Sequence, residues 1–140
     1  MRIREFTMAD CAAVQALWKT AGPGVAIRPS DRPEEIAKKL RRDPDLFLVA
    51  EHDGTIAGVV IGAWDGRRGW LHHLAVDDSL RRQGIGSALL REVESRLRAR
   101  GCLKVNLLVH STNDQARAFY RTLGYDEMTT IMAMGKELSP

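Results

Sequence analysis

The stretch that most constrains the fold of this chain spans residues 71–90. An apolar segment runs into a basic turn with two glycines, and the turn leads directly into an amphipathic helical pattern. The first N–H groups of a helix have no partners within the helix and lie at the positive end of its dipole, so they attract anions. Gly84 and Gly86 have no Cβ, which lets a phosphate approach the backbone. Arg81 and Arg82 add positive charge. The stretch therefore predicts a strand–turn–helix unit that binds a pyrophosphate.

Two better-known phosphate-binding patterns do not fit this turn. A P-loop requires a Lys directly after its second glycine, and no Lys follows Gly86. A dinucleotide fingerprint requires a third glycine where this chain has Leu89. The pattern that fits is [Q/R]-x-x-G-x-[G/A] over residues 81–86. A second pattern, N-x-x-A-x-x-x-Y-x-x-x-G-[FY], fits residues 113–125, and a predicted strand lies between the two.

With these two motifs the chain resembles the GCN5-related N-acetyltransferase (GNAT) superfamily over nearly its whole length. Residues 65–70, with the sequence D-G-R-R-G-W, are similar to an element of bacterial YpeA-like acetyltransferases. The resemblance implies an α/β (α+β) fold, in which a mixed, mostly antiparallel sheet is flanked by about four helices and one parallel strand pair splays at the cofactor. It implies a single N-acetyltransferase domain over residues 1–140. It also implies that acetyl-coenzyme A donates an acetyl group directly to a primary amine of a small molecule or a peptide N-terminus.

The resemblance assigns the cofactor mainly to backbone groups of the strand and the turn. In the family this strand carries a bulge, and the pantetheine arm is expected to pair with Leu74, Ala75 and Val76. A backbone N–H near Leu74 or Ala75 is expected to point at the acetyl oxygen, where such a donor stabilises the developing oxyanion. Asn113 is expected to cap its helix and, by resemblance, to contact the cofactor arm. The expected pyrophosphate contacts are Arg81, Arg82, Gln83, Gly84, Ile85, Gly86 and Ser87.

Tyr120 matches the general acid of the family, which protonates the leaving thiolate. Its phenol has an ordinary pKa of about 10, close enough to that of a thiol for proton donation. No general base matches in the same way, because Leu108 and Trp70 occupy positions where two groups of family members carry Glu. His72 and His73 are adjacent on a predicted strand, so they are expected to project from opposite faces. One of them is then expected to face the acceptor as a base or a relay through water.

Other residues are weaker candidates for the base and for acceptor binding. Many family members use an ordered water in place of a dedicated base, and that alternative stays open here. Arginine suits bidentate recognition of a carboxylate, but an ordinary loop or a solvated turn explains the same residues. The further base candidates are Glu51, Asp65 and His110. The candidate acceptor-binding residues are Arg28, Arg67 and Arg68.

Composition limits the class of protein. A chain of 140 residues with a net charge of +3 suits one core and an anionic cofactor, and it does not require nucleic acid. No run of 18 apolar residues predicts a membrane span. The first residues read as a strand rather than a signal peptide, so a cytoplasmic location is expected. Cys11 and Cys102 lack metal-ligand spacing and are expected to be buried, reduced thiols, with no metal site.

Two other functions compete with amine acetylation. One is a catalytically silent domain that binds or senses acyl-CoA, which the missing acidic base favours and Tyr120 disfavours. The other is a nucleic-acid-binding module that uses the basic run at residues 38–42, although such a run on a helix is more often a solvated face than a binding patch. Small-molecule amines, amino acids and protein N-termini all stay open as acceptors. Dimers are common in the family, so the resemblance also admits a homodimer.

Periodicity and turn signals predict the order of the elements. Asp31 or Ser30 is expected to cap the second helix, and Gly58 and Gly62 to mark a close backbone approach or a bulge. The predicted strands cover residues 2–6, 46–51, 55–64, 70–76 and 104–109, with one or two more between 126 and 136. The predicted helices end near residues 19, 42, 100 and 122.

Overall fold

The computed structural model describes residues 1–22 and 25–138, and the chain divides into two compact units, Met1–Leu107 and Leu108–Pro140. The first unit contains a five-stranded sheet in the order β1-β2-β3-β4-β5. The strands are β1 (Arg2–Glu5), β2 (Phe47–His52), β3 (Thr55–Trp64), β4 (Gly69–Val76) and β5 (Val105–Leu107). The helices are α1 (Cys11–Thr20), α2 (Pro33–Arg42), α3 (Ile85–Ala99) and α4 (Asp114–Thr122). Three short 3₁₀ turns cover Met8–Asp10, Pro29–Asp31 and Asp78–Leu80.

The sheet is mixed and mostly antiparallel, as predicted. The first three pairings are antiparallel, and β4 pairs with β5 in parallel. The parallel pair follows from the strand–helix–strand connection through α3, since such a crossover returns the chain in the same direction. Asp53 and Gly54 form the hairpin turn between β2 and β3, with φ of +51° and +77°. Both values suit a two-residue turn of the type that connects antiparallel strands.

Helix α3 packs closely against one face of the sheet. A Cβ built on Gly58 would lie 2.9 Å from a side-chain carbon of Ile85, and one built on Gly62 would lie 2.9 Å from a side-chain carbon of Val93. The predicted close approach at both glycines is therefore confirmed. The side chains of α3 reach the sheet only because these positions have none of their own.

The opposite face of the sheet carries the main apolar core, under α1 and α2. Val59 of β3 and Ala75 of β4 pack there against Val14 and Trp18 of α1 and Ile36 of α2. These side chains are almost fully removed from water. Each large side chain buried in this way contributes about 1.5–3 kcal/mol. The sheet is thus held between two helical layers.

The two N-terminal 3₁₀ turns share one construction. Asp10 accepts a hydrogen bond from the Thr7 N–H at 2.8 Å. Asp31 accepts one from the Arg28 N–H at 2.9 Å. The prediction that Asp31 or Ser30 caps α2 is wrong, because Arg32 occupies the cap position. Pro33 has no N–H and suits the first helical position, and α2 begins without a side-chain cap.

The second unit contains α4 and the segment that follows it. Residues 126–138 form no strand, so the predicted final strands between 126 and 136 are wrong. The alternation of apolar residues there predicts a strand, but a strand also needs a ladder partner, and none is found among the described residues. Ile131, Met132 and Met134 are largely exposed. None of the helices in residues 1–22 and 25–138 has both the length and the apolar character that a membrane crossing requires.

Candidate active site

A β-bulge interrupts β4 at His73 and Leu74. The ladder with β3 is regular at His72 and resumes at Ala75, but Val60 alone lies opposite the two residues between them. His73 has φ of +51°, a left-handed conformation that a residue other than glycine rarely adopts. A bulge leaves its extra residue outside the ladder and bends the strand. The bulge therefore includes Leu74, which the family resemblance places beside the donor arm and the acetyl oxygen.

The parallel ladder between β4 and β5 covers only the beginning of β4. It runs from the Gly69–Val105 pair to the Leu71–Leu107 pair, whereas β4 continues to Val76. From residue 72 onward, β4 has no β5 partner within the part of the chain that the structure describes. Backbone groups along this edge can pair with an extended ligand, as in the addition of a strand to a sheet.

Two buried residues outside β4 hold the bulge. The Trp18 indole donates a hydrogen bond from Nε1 to the His73 carbonyl oxygen at 3.1 Å. The Oδ2 atom of Asp31 lies 2.8 Å from Nε2 of His73. Trp18 is 1% exposed and Asp31 is 6% exposed. The sequence marks neither residue as part of the site, because Trp18 has the pattern of a core position and Asp31 that of a helix cap. Nothing in a single sequence signals that both contact the same residue of β4.

Both histidines of β4 lie on the α1 and α2 side of the sheet. His72 pairs with Ile61, which packs against the core on that side, and His73 contacts Trp18 of α1. The prediction that the two project from opposite faces is therefore wrong. The reason is the bulge, since a residue with left-handed backbone geometry breaks the alternation of a regular strand.

The two imidazoles have different surroundings. The His73 side chain contacts Asp31. His72 is more exposed to solvent, and its ring lies beside that of Trp70, with ring centroids 6.4 Å apart. Desolvation by the surrounding protein lowers the pKa of His72 below its ordinary 6.5, and the charges of His73 and Lys39 lower it further. His72 is therefore neutral at pH 7 and able to accept a proton.

The turn before α3 has the backbone geometry of an anion site. Arg82 and Gly84 have φ of +65° and +77°. A Cβ built on Gly84 would meet nothing within 4 Å, so the backbone there is open to a ligand. The first bond of the helix runs from the Ala88 N–H to the Gly84 carbonyl at 3.0 Å. The N–H groups just before it have no carbonyl partner in the helix. Residues 81–84 are exposed, and Ile85, Gly86 and Ser87 form the first turn of α3.

The three arginines predicted for acceptor binding lie in different places. Arg28 is exposed, and its N–H shares Asp31 with His73, so the structure places it in the connection beside the bulge. Arg67 and Arg68 lie in the β3–β4 turn, at the opposite end of β4 from the bulge. Gly69 and His73 are four residues apart, which corresponds to about 13 Å along a strand. The structure thus brings Arg28, and not the other two, near the bulge.

The weaker base candidates of the first unit already have partners. The Asp65 carboxylate accepts hydrogen bonds from the Arg68 and Arg67 N–H groups at 2.7 and 2.8 Å, and these bonds lower its pKa. Glu51 accepts a hydrogen bond from Arg4 at 2.6 Å. A carboxylate stabilised in its charged form is a poor proton acceptor. His72 is therefore better suited to the role of base than Asp65, and Glu51 is already paired with Arg4.

In the second unit, α4 carries the second sequence motif. The Asn113 side chain accepts a hydrogen bond from the Ala116 N–H at 3.1 Å and caps α4, as predicted. Tyr120 lies near the end of α4, where its ring meets those of Phe119 and Tyr125 at centroid distances of 5.2 and 5.8 Å. Desolvation raises the pKa of Tyr120 to about 12. The phenol is therefore protonated at every physiological pH, although it is a weaker acid than its ordinary pKa implies.

The basic run at residues 38–42 is engaged in ion pairs on α2. Lys39 and Arg42 both approach Asp43, at 2.7 and 3.6 Å, and Lys38 pairs with Glu35. Lys38 and Arg42 are exposed and Asp43 is buried, so the run is in part a solvated helix face. Within residues 1–22 and 25–138, no three His, Cys, Asp or Glu side chains are grouped as metal ligands. Cys11 is buried and Cys102 is half-buried, and neither is in a disulfide.

Comparison with known proteins gives one consistent result. The family model described as the acetyltransferase (GNAT) family matches residues 12–125. An acetyltransferase of Sodalis glossinidius is 40% identical over 139 residues, which cover 99% of this chain and 96% of that protein. The crystal structure of Ard1 from Thermoplasma volcanium is 30% identical, with a TM-score of 0.77 over 88% of this chain and 80% of that one. The PaiA N-acetyltransferase of Thermoplasma acidophilum, solved with coenzyme A, is 23% identical, with a TM-score of 0.74 and coverage of 87% of each chain.

Proposed function

Because the chain belongs to the GNAT acetyltransferase family, we propose that it transfers an acetyl group directly from acetyl-CoA to a primary amine of a small molecule or a peptide N-terminus. Acetyl-CoA is the donor that this family uses, and it supplies the acyl group as an activated thioester. The amine acceptor, the direct transfer and the residue roles below are our proposal. The observation that carries it is the combination of the β4 bulge with the open, left-handed turn before α3.

The residues of the turn fit a pyrophosphate. Gly84 leaves its backbone open, and the free N–H groups at the start of α3 supply donors. Arg82 is exposed and adds positive charge to the turn, while Arg81 is partly balanced by Asp78 at 2.8 Å. We assign the pyrophosphate to residues 81–87, and the donor arm to the free edge of β4 at Leu74, Ala75 and Val76, with Asn113 as a further contact from its motif.

The bulge supplies the electrostatic part of the mechanism. Leu74 is one of the two bulge residues that have no regular partner in the β3 ladder, and we assign its N–H to the acyl oxygen. A preorganised backbone donor directed at the thioester oxygen stabilises the negative charge that develops there as the amine attacks. The loss of such a donor typically costs about 3 kcal/mol of transition-state stabilisation.

Two side chains would move protons. An ammonium has no lone pair, so the acceptor must lose a proton before it attacks, and His72 is the proposed base because its lowered pKa keeps it neutral at pH 7. Tyr120 is the proposed donor to the leaving thiolate, from its place in the second motif. With a pKa of about 12, Tyr120 acts chiefly by donating a hydrogen bond to that thiolate.

The test combines binding and turnover. Acetyl-CoA is titrated by calorimetry, and CoA release is then measured with a panel of alkylamines, amino acids and peptides with free N-termini. We expect binding, together with turnover on at least one class of amine. Binding without turnover on any of them would favour the silent acyl-CoA-binding alternative. The absence of binding by folded protein would overturn the proposal.

The role of His72 has its own test. In the wild-type enzyme, kcat should fall as the pH drops through a pKa below 6.5, because protonated His72 cannot accept a proton. His72→Gln should remove this acid limb and lower kcat by about 10²-fold. His52→Gln, at the end of β2, is the matched control and should leave the profile unchanged. An acid limb that persists in His72→Gln would assign the base to another group or to water.

A further inference from the structure

We infer that Trp18 and Asp31 are positioning residues for acetyl transfer, and that they aim the Leu74 N–H by holding His73 in its left-handed conformation. The inference rests on the proposed function, because it assumes that this N–H meets the thioester oxygen. Neither residue belongs to the two sequence motifs. Both act through His73 and lie outside β4 itself.

The hydrogen bond from Trp18 fixes the direction of a peptide group. The His73 carbonyl and the Leu74 N–H belong to the same planar, trans peptide, in which C=O and N–H point in opposite directions. Because Trp18 Nε1 holds the carbonyl oxygen at 3.1 Å on the α1 side, the Leu74 N–H is directed away from α1. A rotation of this peptide would break the bond to Trp18.

Asp31 holds the same residue through its side chain. Its carboxylate lies 2.8 Å from His73 Nε2 and also accepts the Arg28 N–H at 2.9 Å. Gln15 of α1 donates to the Asp31 carbonyl at 3.1 Å, which ties the 3₁₀ turn to α1. A strained backbone conformation persists only where the surroundings impose it. Trp18 and Asp31 supply this restraint from two sides, one at the backbone of His73 and one at its ring.

The chain contains a matched residue that has the same local role without the contact to β4. Asp10 closes the first 3₁₀ turn as Asp31 closes the second, and each accepts the N–H of the residue three positions earlier. Both aspartates are buried. The other partner of Asp10 is Arg4 on β1, whereas the other partner of Asp31 is His73 in the bulge. Asp10→Asn therefore controls for the loss of a buried carboxylate in such a turn.

The kinetic test compares Asp31→Asn, Asp10→Asn and Trp18→Phe with wild type. We expect Asp31→Asn and Trp18→Phe to lower kcat by about 10- to 100-fold while the KM for acetyl-CoA changes little, because a misdirected donor affects mainly the transition state. Asp10→Asn should lower the melting temperature but keep the wild-type kcat. Equal kcat values in Asp31→Asn and Asp10→Asn would overturn the inference.

A spectroscopic test needs no acceptor. In wild type and Asp10→Asn, the Leu74 amide should have different NMR shifts in the acetyl-CoA and CoA complexes, because only acetyl-CoA has the thioester oxygen. In Asp31→Asn and Trp18→Phe this difference should shrink. If the Leu74 amide shift differs between the two complexes as much in both variants as in wild type, the inference is overturned, even if the wild-type enzyme turns over normally. If wild-type protein does not bind acetyl-CoA, that result overturns the proposed function, and the inference that rests on it.

Discussion

At the scale of single residues, left-handed backbone geometry marks both parts of the candidate site. His73 adopts it in the bulge, and Arg82 and Gly84 adopt it in the turn before α3. For a residue other than glycine, this conformation costs about 1–3 kcal/mol. In the bulge, buried hydrogen-bond partners hold it in place. Gly84 carries no such cost, and its lack of a side chain also opens the backbone to a ligand.

Gly84→Ala separates these two effects when it is compared with Gly101→Ala. Both glycines have positive φ, at +77° and +88°, and both have open space where a Cβ would stand. Each substitution should lower the free energy of unfolding by about 1–2 kcal/mol. Only Gly84→Ala should also weaken acetyl-CoA binding, by about tenfold or more, because its methyl group occupies the path of the phosphate. Urea denaturation and calorimetry measure the two quantities, and equal affinity in both variants would contradict the assignment of the turn.

Tyr120→Phe tests the proposed hydrogen-bond donor to the leaving thiolate. The substitution removes the hydroxyl and keeps the ring, so the contacts with Phe119 and Tyr125 survive. We expect kcat to fall by about 10²-fold, with little change in acetyl-CoA affinity. Because the pKa of Tyr120 is raised to about 12, the wild-type rate should show no loss from its ionisation up to about pH 10. Unchanged turnover in Tyr120→Phe would remove the residue from the mechanism.

At the scale of elements, the position of α3 links the sheet to the turn that precedes the helix. Gly58 lies under Ile85 and Leu89, at the N-terminal end of α3, and Gly69 lies under Leu97 near its C-terminal end. A side chain at either position would press on α3, because interiors are closely packed. The two ends of the helix differ in function, since only the N-terminal end adjoins the turn.

Gly58→Ala and Gly69→Ala should therefore both destabilise the packing of α3, but only Gly58→Ala should affect acetyl-CoA binding. Each places a Cβ 2.9 Å from a side-chain carbon of α3 and should cost about 1–3 kcal/mol of stability. Gly58→Ala should also displace the first turn of α3 and weaken acetyl-CoA binding several-fold. Gly69→Ala should leave the affinity near that of wild type. Thermal denaturation and calorimetry on both variants measure these effects, and equal affinities would show that the turn is independent of the packing of α3.

At the scale of the molecule, buried carboxylates connect elements that are distant in sequence. Asp10 joins the first 3₁₀ turn to β1 through Arg4, and the hydrogen bond from Arg4 lowers its pKa. Burial alone would raise the pKa of Asp43, but the hydrogen bonds from Lys39 and Arg100 outweigh burial and lower it. Both aspartates therefore favour the folded state in their charged form.

The stability of the fold should depend on pH in two steps. A pKa that is lower in the folded state adds stability above its ordinary value, and this stability is lost as the pH falls through the folded value. The melting temperature should thus be constant between pH 6.5 and pH 9, fall slightly below pH 6.5 as His72 is protonated, and fall steeply below pH 3.8 as Asp10 and Asp43 are protonated. Scanning calorimetry across this range measures both steps. His72→Gln should remove only the decrease in melting temperature below pH 6.5. If that decrease persists in the variant, another group causes it.

Much of the fold was predictable because its signals are local. Asp53 and Gly54 specify a hairpin turn, Gly84 and Ile85 the start of α3, and Asn113 the cap of α4. The strands predicted between 126 and 136 were wrong for the same reason. The alternation of apolar residues is a local signal, whereas the neighbouring strand that a strand must pair with can lie far away in the chain. In the candidate site, the turn was readable from its glycines. The similarity to the YpeA-like subgroup, the single-domain boundary, the cytoplasmic location and the homodimer stay predictions.

By itself, the sequence determined the order of the elements, the position of the turn before α3 and membership of an acetyltransferase family. These properties depend on spacing and residue type along a few dozen consecutive positions. Only the tertiary structure decided that His72 and His73 face the same side, and that Trp18 and Asp31 meet at His73. The physical reason is that one bulge residue reverses the alternation of β4. Trp18 and Asp31 lie 55 and 42 positions from His73 in the chain. The periodic patterns of helices and strands do not relate residues so far apart.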